Sequence, residues 1–243
     1  MPSQPAYRRR PARKRGVGLW LRRLLLLAIC LVLLSVLLLL PLRWVDPPTT
    51  AFMLADDSGG TPLLYRWQPW EQLGTAAALA VVAAEDQRFA DHFGLDVDSI
   101  RKSLAKAEAG GRLRGASTIS QQLVKNLYLW SGRSMLRKGL EAYLTVVLEV
   151  CLPKRRILEI YLNIVELGPG VYGFPAAADH FFAKDSHALT FAEAALLAAV
   201  LPNPLALRAD APTAYLHQRQ QWIFQHMRRL EREQWLLRIT PAR

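Results

Sequence analysis

Two adjacent carboxylates stand at the end of a long apolar run, where their chemistry would suit proton transfer. Residues 76–84 are all apolar, and Glu85 and Asp86 follow them directly. Burial against such a surface disfavours the charged form of a carboxyl group and raises its pKa, as a general base near neutral pH requires. The alternative interpretation is a solvated helix end that carries acidic residues.

A second group combines a hydroxyl, an amide and an ammonium. Thr118, Gln122 and Lys125 are spaced four and three residues apart, so one face of a helix would carry all three side chains. The neighbouring stripe is apolar and consists of Ile119, Leu123 and Leu127. This pattern predicts a helix with one buried side and one polar side.

A third group joins a carboxylate to two cations. Glu141 follows Arg137 by four residues and Lys138 by three, which are the spacings at which helical side chains of opposite charge meet. An ordinary helix salt bridge would have the same spacing and would contribute only about 0.3–0.5 kcal/mol. Composition alone therefore leaves a functional and a structural interpretation open for this group.

The elements that must position these groups are helices. Helical periodicity predominates from residue 76 onward, and the sequence has neither an internal repeat nor a run of alternating strands. Thr118 with Gln121 and Thr190 with Glu193 are predicted capping boxes. Helices are predicted over residues 76–85, 118–129, 135–152, 154–163, 190–202 and 212–232, with a glycine-rich loop over 166–174. The predicted fold class is mainly α.

The N-terminal region is predicted to anchor the chain in a membrane. Residues 24–40 contain a single polar residue, Ser35, and with their apolar flanks they reach about 30 Å as a helix, which spans a bilayer. A cleaved signal peptide is the alternative, but the run is long for one and no small-x-small cleavage site follows. Basic residues precede the span and Arg43 alone directly follows it, which predicts a cytoplasmic N-terminus.

The positive charge of the chain is concentrated in its N-terminal tail. The formal net charge is +11, yet eight of the 31 basic residues lie within residues 1–23, which contain no acidic residue. The remainder is nearly neutral, so a basic nucleic-acid-binding domain is excluded. The histidines never show zinc-motif spacing, and no metal site is predicted. The predicted organisation is a basic cytoplasmic tail over 1–23, a transmembrane helix over 24–42, a linker with one short strand and the start of the domain over 43–75, and the main domain over 76–243.

Five sequence boxes carry a resemblance to a known family. EDQRFADHFG at 85–94 resembles the ED-x-x-F-x-x-H-x-G signature of the peptidoglycan glycosyltransferases, a family shared with bifunctional penicillin-binding proteins. GASTISQQLVKNLYL at 115–129 and RKGLEA at 137–142 resemble the next two boxes, and segments 154–173 and 189–204 resemble the last two. The chain departs mildly from the family pattern, because Ala116 replaces a glycine and Ser120 a threonine.

This resemblance implies a lysozyme-like, two-lobed helical glycosyltransferase domain that polymerises lipid II with inversion at the anomeric carbon. It implies that Glu85 is the general base and that Glu141 is a second essential carboxylate. The cations expected near the donor diphosphate are Lys102, Lys125, Arg133, Arg137 and Lys138. The residues expected to shape the cleft are Asp86, Phe89, His92, Thr118 and Gln122. For Phe89, plain core packing is an equal alternative.

The expected partners are lipid II, the lipid-linked glycan chain, the membrane and other proteins of cell-wall synthesis or division, without nucleic acid. The expected location is the bacterial inner membrane, with a single span and the catalytic domain in the periplasm. The sequence requires no cofactor, although a divalent cation, Mg²⁺ or Mn²⁺, could bridge the diphosphate and a carboxylate. Residues 95–115 carry five basic residues and are expected to form either a mobile lobe at the lipid surface or a solvated loop.

Two other functions are weighed against polymerisation. A hydrolase with a lysozyme-like fold needs a carboxylic acid to protonate a sugar-oxygen leaving group and has less use for a cation cluster. A catalytically inactive, membrane-anchored scaffold would be marked by loss of Glu85 or Glu141, and both are present. The cation set therefore favours transfer from a diphosphate.

Overall fold

The computed structural model describes residues 15–57, 62–108, 110, 117–132 and 134–240. The described part is mainly helical, as predicted, with eleven α-helices and one small sheet. The helices are α1 Arg15–Leu39, α2 Ala51–Leu54, α3 Trp70–Leu73, α4 Thr75–Glu85, α5 Val97–Glu108, α6 Ile119–Tyr128, α7 Met135–Cys151, α8 Lys154–Ile164, α9 Phe174–Phe182, α10 Phe191–Val200 and α11 Ala214–Arg232. Short 3₁₀ helices cover Leu40–Arg43, Ser186–Ala188 and Trp235–Arg238.

The N-terminal helix is the one described helix that is long and apolar enough to cross a membrane. The apolar stretch covers Gly18–Arg43 with a mean hydropathy of 3.1, and most of it is exposed. Helix α1 packs with its C-terminal part against α7. Ser35 Oγ lies 3.1 Å from the hydroxyl of Tyr143 on α7, which ties the apolar helix to the domain.

Helix α4 forms the centre of the core. Residues 76–83 are all buried, and α4 packs against α8, α10 and α11. Most of these residues are alanines, and α10 is similarly rich in alanine, so neighbouring helices can approach closely. The carboxyl end of this buried helix carries Glu85. The core therefore fixes the backbone of Glu85 on several sides.

Both predicted capping boxes are present. The Thr118 side chain accepts from the Gln121 amide at the start of α6, while the Gln121 side chain accepts from the Thr118 amide. Thr190 and Glu193 make the same exchange at α10. Helix α7 begins after Ser134, whose hydroxyl oxygen accepts from the Arg137 amide. These caps set where α6 and α7 begin, and hence which residues of each helix share a face.

The segment predicted as a glycine-rich loop is instead a β-hairpin. Strands β2 (Glu166–Gly168) and β3 (Val171–Tyr172) pair in antiparallel fashion, and β1 (Leu64–Tyr65) adds in parallel beside β3. A Cβ at Gly173 would lie 2.1 Å from the carbonyl oxygen of Asn163, and its φ is +85°. Only glycine lets the chain leave β3 this close to α8.

Two further predictions change in detail. The predicted short strand in residues 43–75 is confirmed as β1, but the linker is wrong in part, because Met53 and Leu73 are buried in the main core. Within 95–115, residues 97–108 form helix α5 rather than a loop. Residues 109 and 111–115 of that predicted lobe lie outside the described residues, as do Ala116 and Arg133.

Candidate active site

Glu85 lies at the last position of α4, with both carboxylate oxygens engaged. Gln122 Nε2 donates to Oε2 at 2.8 Å, and Arg219 Nη2 donates to Oε1 at 3.2 Å. The Glu85 side chain is 15% exposed. The first partner comes from α6 and the second from α11, so three helices meet at this carboxylate.

The environment of Glu85 raises its pKa above the ordinary value. Burial is the largest cause, and the charge of Asp86 acts in the same direction. The hydrogen bond from Gln122 and the charges of Arg219 and Lys125 oppose it. The raised pKa predicted from the apolar run is therefore confirmed, with burial as its main cause.

A hydrogen bond from Tyr161 sets the orientation of the Gln122 amide. The buried Tyr161 hydroxyl on α8 donates to Gln122 Oε1 at 2.8 Å, which leaves Nε2 to donate to Glu85. Burial and then the charges of Glu85 and Asp86 hold the pKa of Tyr161 well above its usual value. The phenol therefore stays protonated and remains a donor.

Asp86, His92 and Thr118 join α4 to the start of α6. Asp86 Oδ2 accepts from the Ile119 amide at 3.1 Å, and both carboxylate oxygens lie 3.0 Å from His92 Nε2. The Thr118 hydroxyl donates to the Gly94 carbonyl at 2.6 Å. Thr118 lines the same groove as Glu85, the partner of Gln122, but its hydroxyl is used in capping α6 and in this contact.

Phe89 lies in the core rather than on an open surface. Its side chain is fully buried, with its ring centroid 6.4 Å from that of Trp235. Lys154 Nζ lies 4.3 Å from the ring centroid on another side. The core-packing alternative for Phe89 therefore holds, and the residue supports the loop after Glu85 from within.

Lys125 lies between several charged groups. Burial lowers its pKa, the charges of Glu141 and Glu166 raise it, and those of Arg137 and Lys138 lower it. Its Nζ lies 5.1 Å from the centroid of the Phe52 ring. Lys125 is therefore within electrostatic reach of both Glu85 and Glu141.

The Glu141 carboxylate binds two cations of its own helix. Arg137 Nη1 donates to Oε2 at 2.7 Å, and Lys138 Nζ donates to Oε1. Glu141 is 3% exposed, so this is not a solvated surface salt bridge. Arg137 Nε also donates to the Gly132 carbonyl at 2.6 Å, which anchors the guanidinium beside the loop before α7.

Lys102 makes no direct contact with this cluster among the described residues. It is exposed on α5, and it makes no ion pair with any residue in the described part of the chain. The structure brings together Glu85, Gln122, Lys125, Arg137, Lys138 and Glu141. Lys102 lies one helical turn after Ser99, which lines the groove beside Glu85.

Two grooves flank the charged residues. The first, of about 310 Å³, is lined by Glu85 and Asp86 and by Arg88, Ser99, Ser117 and Trp222, among others. The second, of about 700 Å³, lies on the Phe52 side of Lys125 and is lined by Phe52, Asp56, Trp130, Glu166 and Tyr172, among others. Burial, then the charge of Asp56, raises the pKa of Glu166 to about 7. Among the described residues, no group of three or more His, Cys, Asp or Glu could hold a metal ion.

Sequence reasoning missed three residues at this site. Arg219 lies 134 positions beyond Glu85, within an amphipathic helix that resembles an ordinary surface helix in sequence. Tyr161 has the pattern of a core residue, and Glu166 lies in the segment predicted as a loop. The one signal for Arg219 in the sequence was its position, as a charged residue on the side of an amphipathic helix that packs against the core.

Comparisons with known proteins agree on one family. A family model described as transglycosylase matches residues 61–228. The chain is 52% identical to a biosynthetic peptidoglycan transglycosylase of Stutzerimonas stutzeri, over 91% of this chain and 94% of that protein. Identity is 50% to a protein of the same name from Pseudomonas aeruginosa, over 84% of this chain and 91% of that protein.

The family model and both relatives point to the same family, and the geometry of the site agrees with it. The boxes that carry the resemblance contain Glu85, Gln122, Lys125 and Glu141, which the structure gathers at one site. The chain therefore belongs to the transglycosylase family and is a glycosyltransferase of peptidoglycan synthesis.

Proposed function

We propose that this enzyme transfers the lipid-linked glycan chain onto the 4-hydroxyl of lipid II, with inversion, and releases undecaprenyl diphosphate. The observation that carries the proposal is a buried carboxylate, Glu85, whose pKa is raised and which lies within electrostatic reach of Lys125. Lys125 in turn interacts with Glu141 and its two cations. A proton acceptor therefore faces a positively charged cluster, as transfer from a diphosphate requires.

Glu85 acts in this proposal as the general base. The 4-hydroxyl oxygen of lipid II attacks the anomeric carbon of the donor, and its proton passes to the Glu85 carboxylate. The bond between the anomeric carbon and the diphosphate oxygen breaks, and the electron pair leaves with the diphosphate. General-base assistance of this kind contributes about 10²–10⁴-fold to a rate.

The diphosphate leaves as an anion, so it needs neutralising charge more than a proton. Lys125, Arg137 and Lys138 supply that charge, with Arg133 and Lys102 as further proposed contributors. Glu141 neutralises only part of the charge of Arg137 and Lys138, since one carboxylate faces two cations. It holds both cations in place, so little reorganisation is needed as charge develops on the leaving group.

The remaining proposed cleft residues act through others. Gln122 aims the Glu85 carboxylate, and Tyr161 fixes the Gln122 amide. Asp86, His92 and Thr118 hold the junction between α4 and α6, and Phe89 supports that junction from the core. Their contribution is the precise spacing between the base and the cation cluster.

Attachment to a membrane suits substrates that carry lipid tails. Helix α1 would span the bilayer, with the basic tail in the cytoplasm and the catalytic domain in the periplasm. Ser35 contacts Tyr143 about 12 Å along the helix from Arg43, at 1.5 Å per residue. That depth lies within a hydrocarbon core about 30 Å thick. The exposed apolar side chains of α7, including Leu136 and Val150, would then meet the acyl chains of the outer leaflet.

Further partners and cofactors belong to the proposal as well. Other proteins of cell-wall synthesis or division would deliver lipid II or accept the glycan product. The transfer as written needs no resident metal, although Mg²⁺ or Mn²⁺ could bridge the diphosphate and a carboxylate. If EDTA lowers the rate, it should do so by removing a cation bound to the diphosphate of the substrate. Added Mg²⁺ or Mn²⁺ should then restore the rate.

Labelled lipid II and the purified full-length protein in lipid vesicles test the proposal. We expect long glycan chains and released undecaprenyl diphosphate. Shortening of mature glycan without polymerisation would indicate a hydrolase, and absence of both reactions would indicate a scaffold. Either of these results would overturn the proposed function.

A further inference from the structure

The second partner of the Glu85 carboxylate is an arginine from a distant part of the chain. Arg219 lies on α11, which packs against α4 along much of its length. Its Nη2 donates to Glu85 Oε1 at 3.2 Å, and both side chains are largely shielded from solvent. The Arg219 Nε–H is buried and has no hydrogen-bond partner among the described residues. An arginine kept for structure alone would normally satisfy that donor.

The contacts of Glu85 leave room for a proton from a substrate. Each carboxylate oxygen receives one donor, from Gln122 at Oε2 and from Arg219 at Oε1. A carboxylate oxygen can accept two hydrogen bonds, so each still has one free lone pair. The two donors come from opposite helices, α6 and α11, and together they fix the plane of the carboxylate.

The charged and titratable groups that face Glu85 come from four parts of the fold. Asp86 follows it at the end of α4, Lys125 lies on α6, the neutral Tyr161 on α8 and Arg219 on α11. Burial favours the protonated form of Glu85, and Asp86 acts in the same direction. Arg219 is the cation in direct contact with the carboxylate, whereas Lys125 acts on it only at longer range.

We propose that Arg219 is a positioning residue that keeps Glu85 ionised and directs its carboxylate toward the acceptor hydroxyl. This inference rests on the proposed role of Glu85 as the general base. The cations of the site would then have two separate functions. Arg219 serves the base, whereas Lys125, Arg137 and Lys138 serve the leaving group. Without Arg219, burial would leave more of Glu85 protonated at neutral pH, and a protonated base is inactive.

The pH dependence of kcat/KM in Arg219→Gln tests this proposal with labelled lipid II and the full-length enzyme in vesicles. The acid limb, where activity rises as Glu85 loses its proton, should move about one pH unit upward. A shift of one unit corresponds to a tenfold loss of rate on the acid side. Activity should recover toward the wild-type value as the pH rises above the new limb. Arg219→Lys should lie between wild type and Arg219→Gln.

A variant of the same helix provides the matched control. Arg229 is exposed on α11 and pairs with Glu233, so Arg229→Gln removes the same charge without touching Glu85. Its acid limb should coincide with that of the wild type. Circular dichroism at the assay temperature establishes that each variant is folded.

Three results would overturn the inference in different ways. An equal loss of rate at every pH in Arg219→Gln would indicate a structural role. A raised KM for lipid II with an unmoved acid limb would indicate direct substrate binding. An acid limb that also moves in Arg229→Gln would indicate a general charge effect. The Glu85→Gln variant separates these from failure of the proposed function, since only retained turnover in that variant removes Glu85 as the base.

Discussion

The two buried glutamates of the site have opposite surroundings. Glu141 binds two cations that lie three and four residues before it on the same helix. Glu85 binds an amide 37 positions away and an arginine 134 positions away, and burial raises its pKa. Glu141 is thus built into a local ion cluster, whereas Glu85 is held by elements that only the folded chain brings together.

This difference matches two kinds of chemistry. The Glu141 carboxylate holds Arg137 and Lys138 in place, with one oxygen accepting from each cation. A buried carboxylate with a raised pKa accepts a proton more readily near neutral pH. The comparison therefore supports the proposal that Glu85 accepts the proton and that Glu141 organises positive charge.

The largest effect is expected for Glu85→Gln. Loss of a general base should lower the rate of polymerisation by about 10²–10⁴-fold. The amide keeps the shape of the side chain and one acceptor oxygen, but its NH2 group cannot accept the second of the two hydrogen bonds that Gln122 and Arg219 donate. Initial rates with labelled lipid II measure the effect.

The matched control is Glu149, a buried glutamate that contacts Ser120 and Lys154 in the core. Glu149→Gln should lower the free energy of unfolding by about 3 kcal/mol, because it breaks a buried ion pair. Its rate below the melting temperature should stay near that of the wild type.

The next largest effect is expected for Lys125→Met. Removal of one preorganised charge from a leaving group costs about 10²–10³-fold in rate. The loss should be seen in single-turnover transfer from the donor, with little change in thermal unfolding. Lys184→Met is the control, since Lys184 pairs with Glu193 away from the site. Equal rates for the two lysine variants would contradict a diphosphate role for Lys125.

A smaller effect is expected for Glu141→Gln. Its loss frees Arg137 and Lys138 to move without removing their charge, so the rate should fall by about tenfold to a hundredfold, less than for a direct contact. The acid limb of kcat/KM should stay in place, because the base is untouched. A limb that moves with Glu141→Gln would break the proposed division between the two glutamates.

The smallest effect is expected for Glu166→Gln. Burial lowers the pKa of Lys125, and the negative charge of Glu166 raises it. Loss of that charge should lower the pKa of Lys125 further, so activity should be lost at a lower pH on the alkaline side. We expect a shift of less than about one unit, or less than a tenfold change in rate. An unchanged alkaline limb would exclude Lys125 as the group that titrates there.

Much of the fold was predictable because its signals are local. Apolar periodicity and the capping boxes predicted α4, α6, α7, α8, α10 and α11 with boundaries that differ from those observed by only a few residues. The β-hairpin at 166–172 was missed because its strands are only two and three residues long, and because β3 also pairs with β1, about a hundred residues earlier. Such pairing depends on tertiary contacts that no short window of sequence contains.

The site was predictable to a similar extent. The Glu141 cluster follows from helix spacing alone, and the raised pKa of Glu85 follows from the apolar run before it. The partners of Glu85 could not be predicted, because Arg219 and Tyr161 reach it only through the packing of α11 and α8 around α4. Thr118 lines the groove beside Glu85, but its hydroxyl caps α6 and donates to the Gly94 carbonyl, a use that its spacing from Gln122 did not predict.

The central claim is that Glu85 alone of the two glutamates accepts the proton. Its most direct test is the residual rate of Glu85→Gln and Glu141→Gln with labelled lipid II, followed across the pH range. We expect the low rate of Glu85→Gln to be flat on the acid side and that of Glu141→Gln to rise along the wild-type limb. A wild-type acid limb in Glu85→Gln, or a flat profile in Glu141→Gln, would contradict the claim.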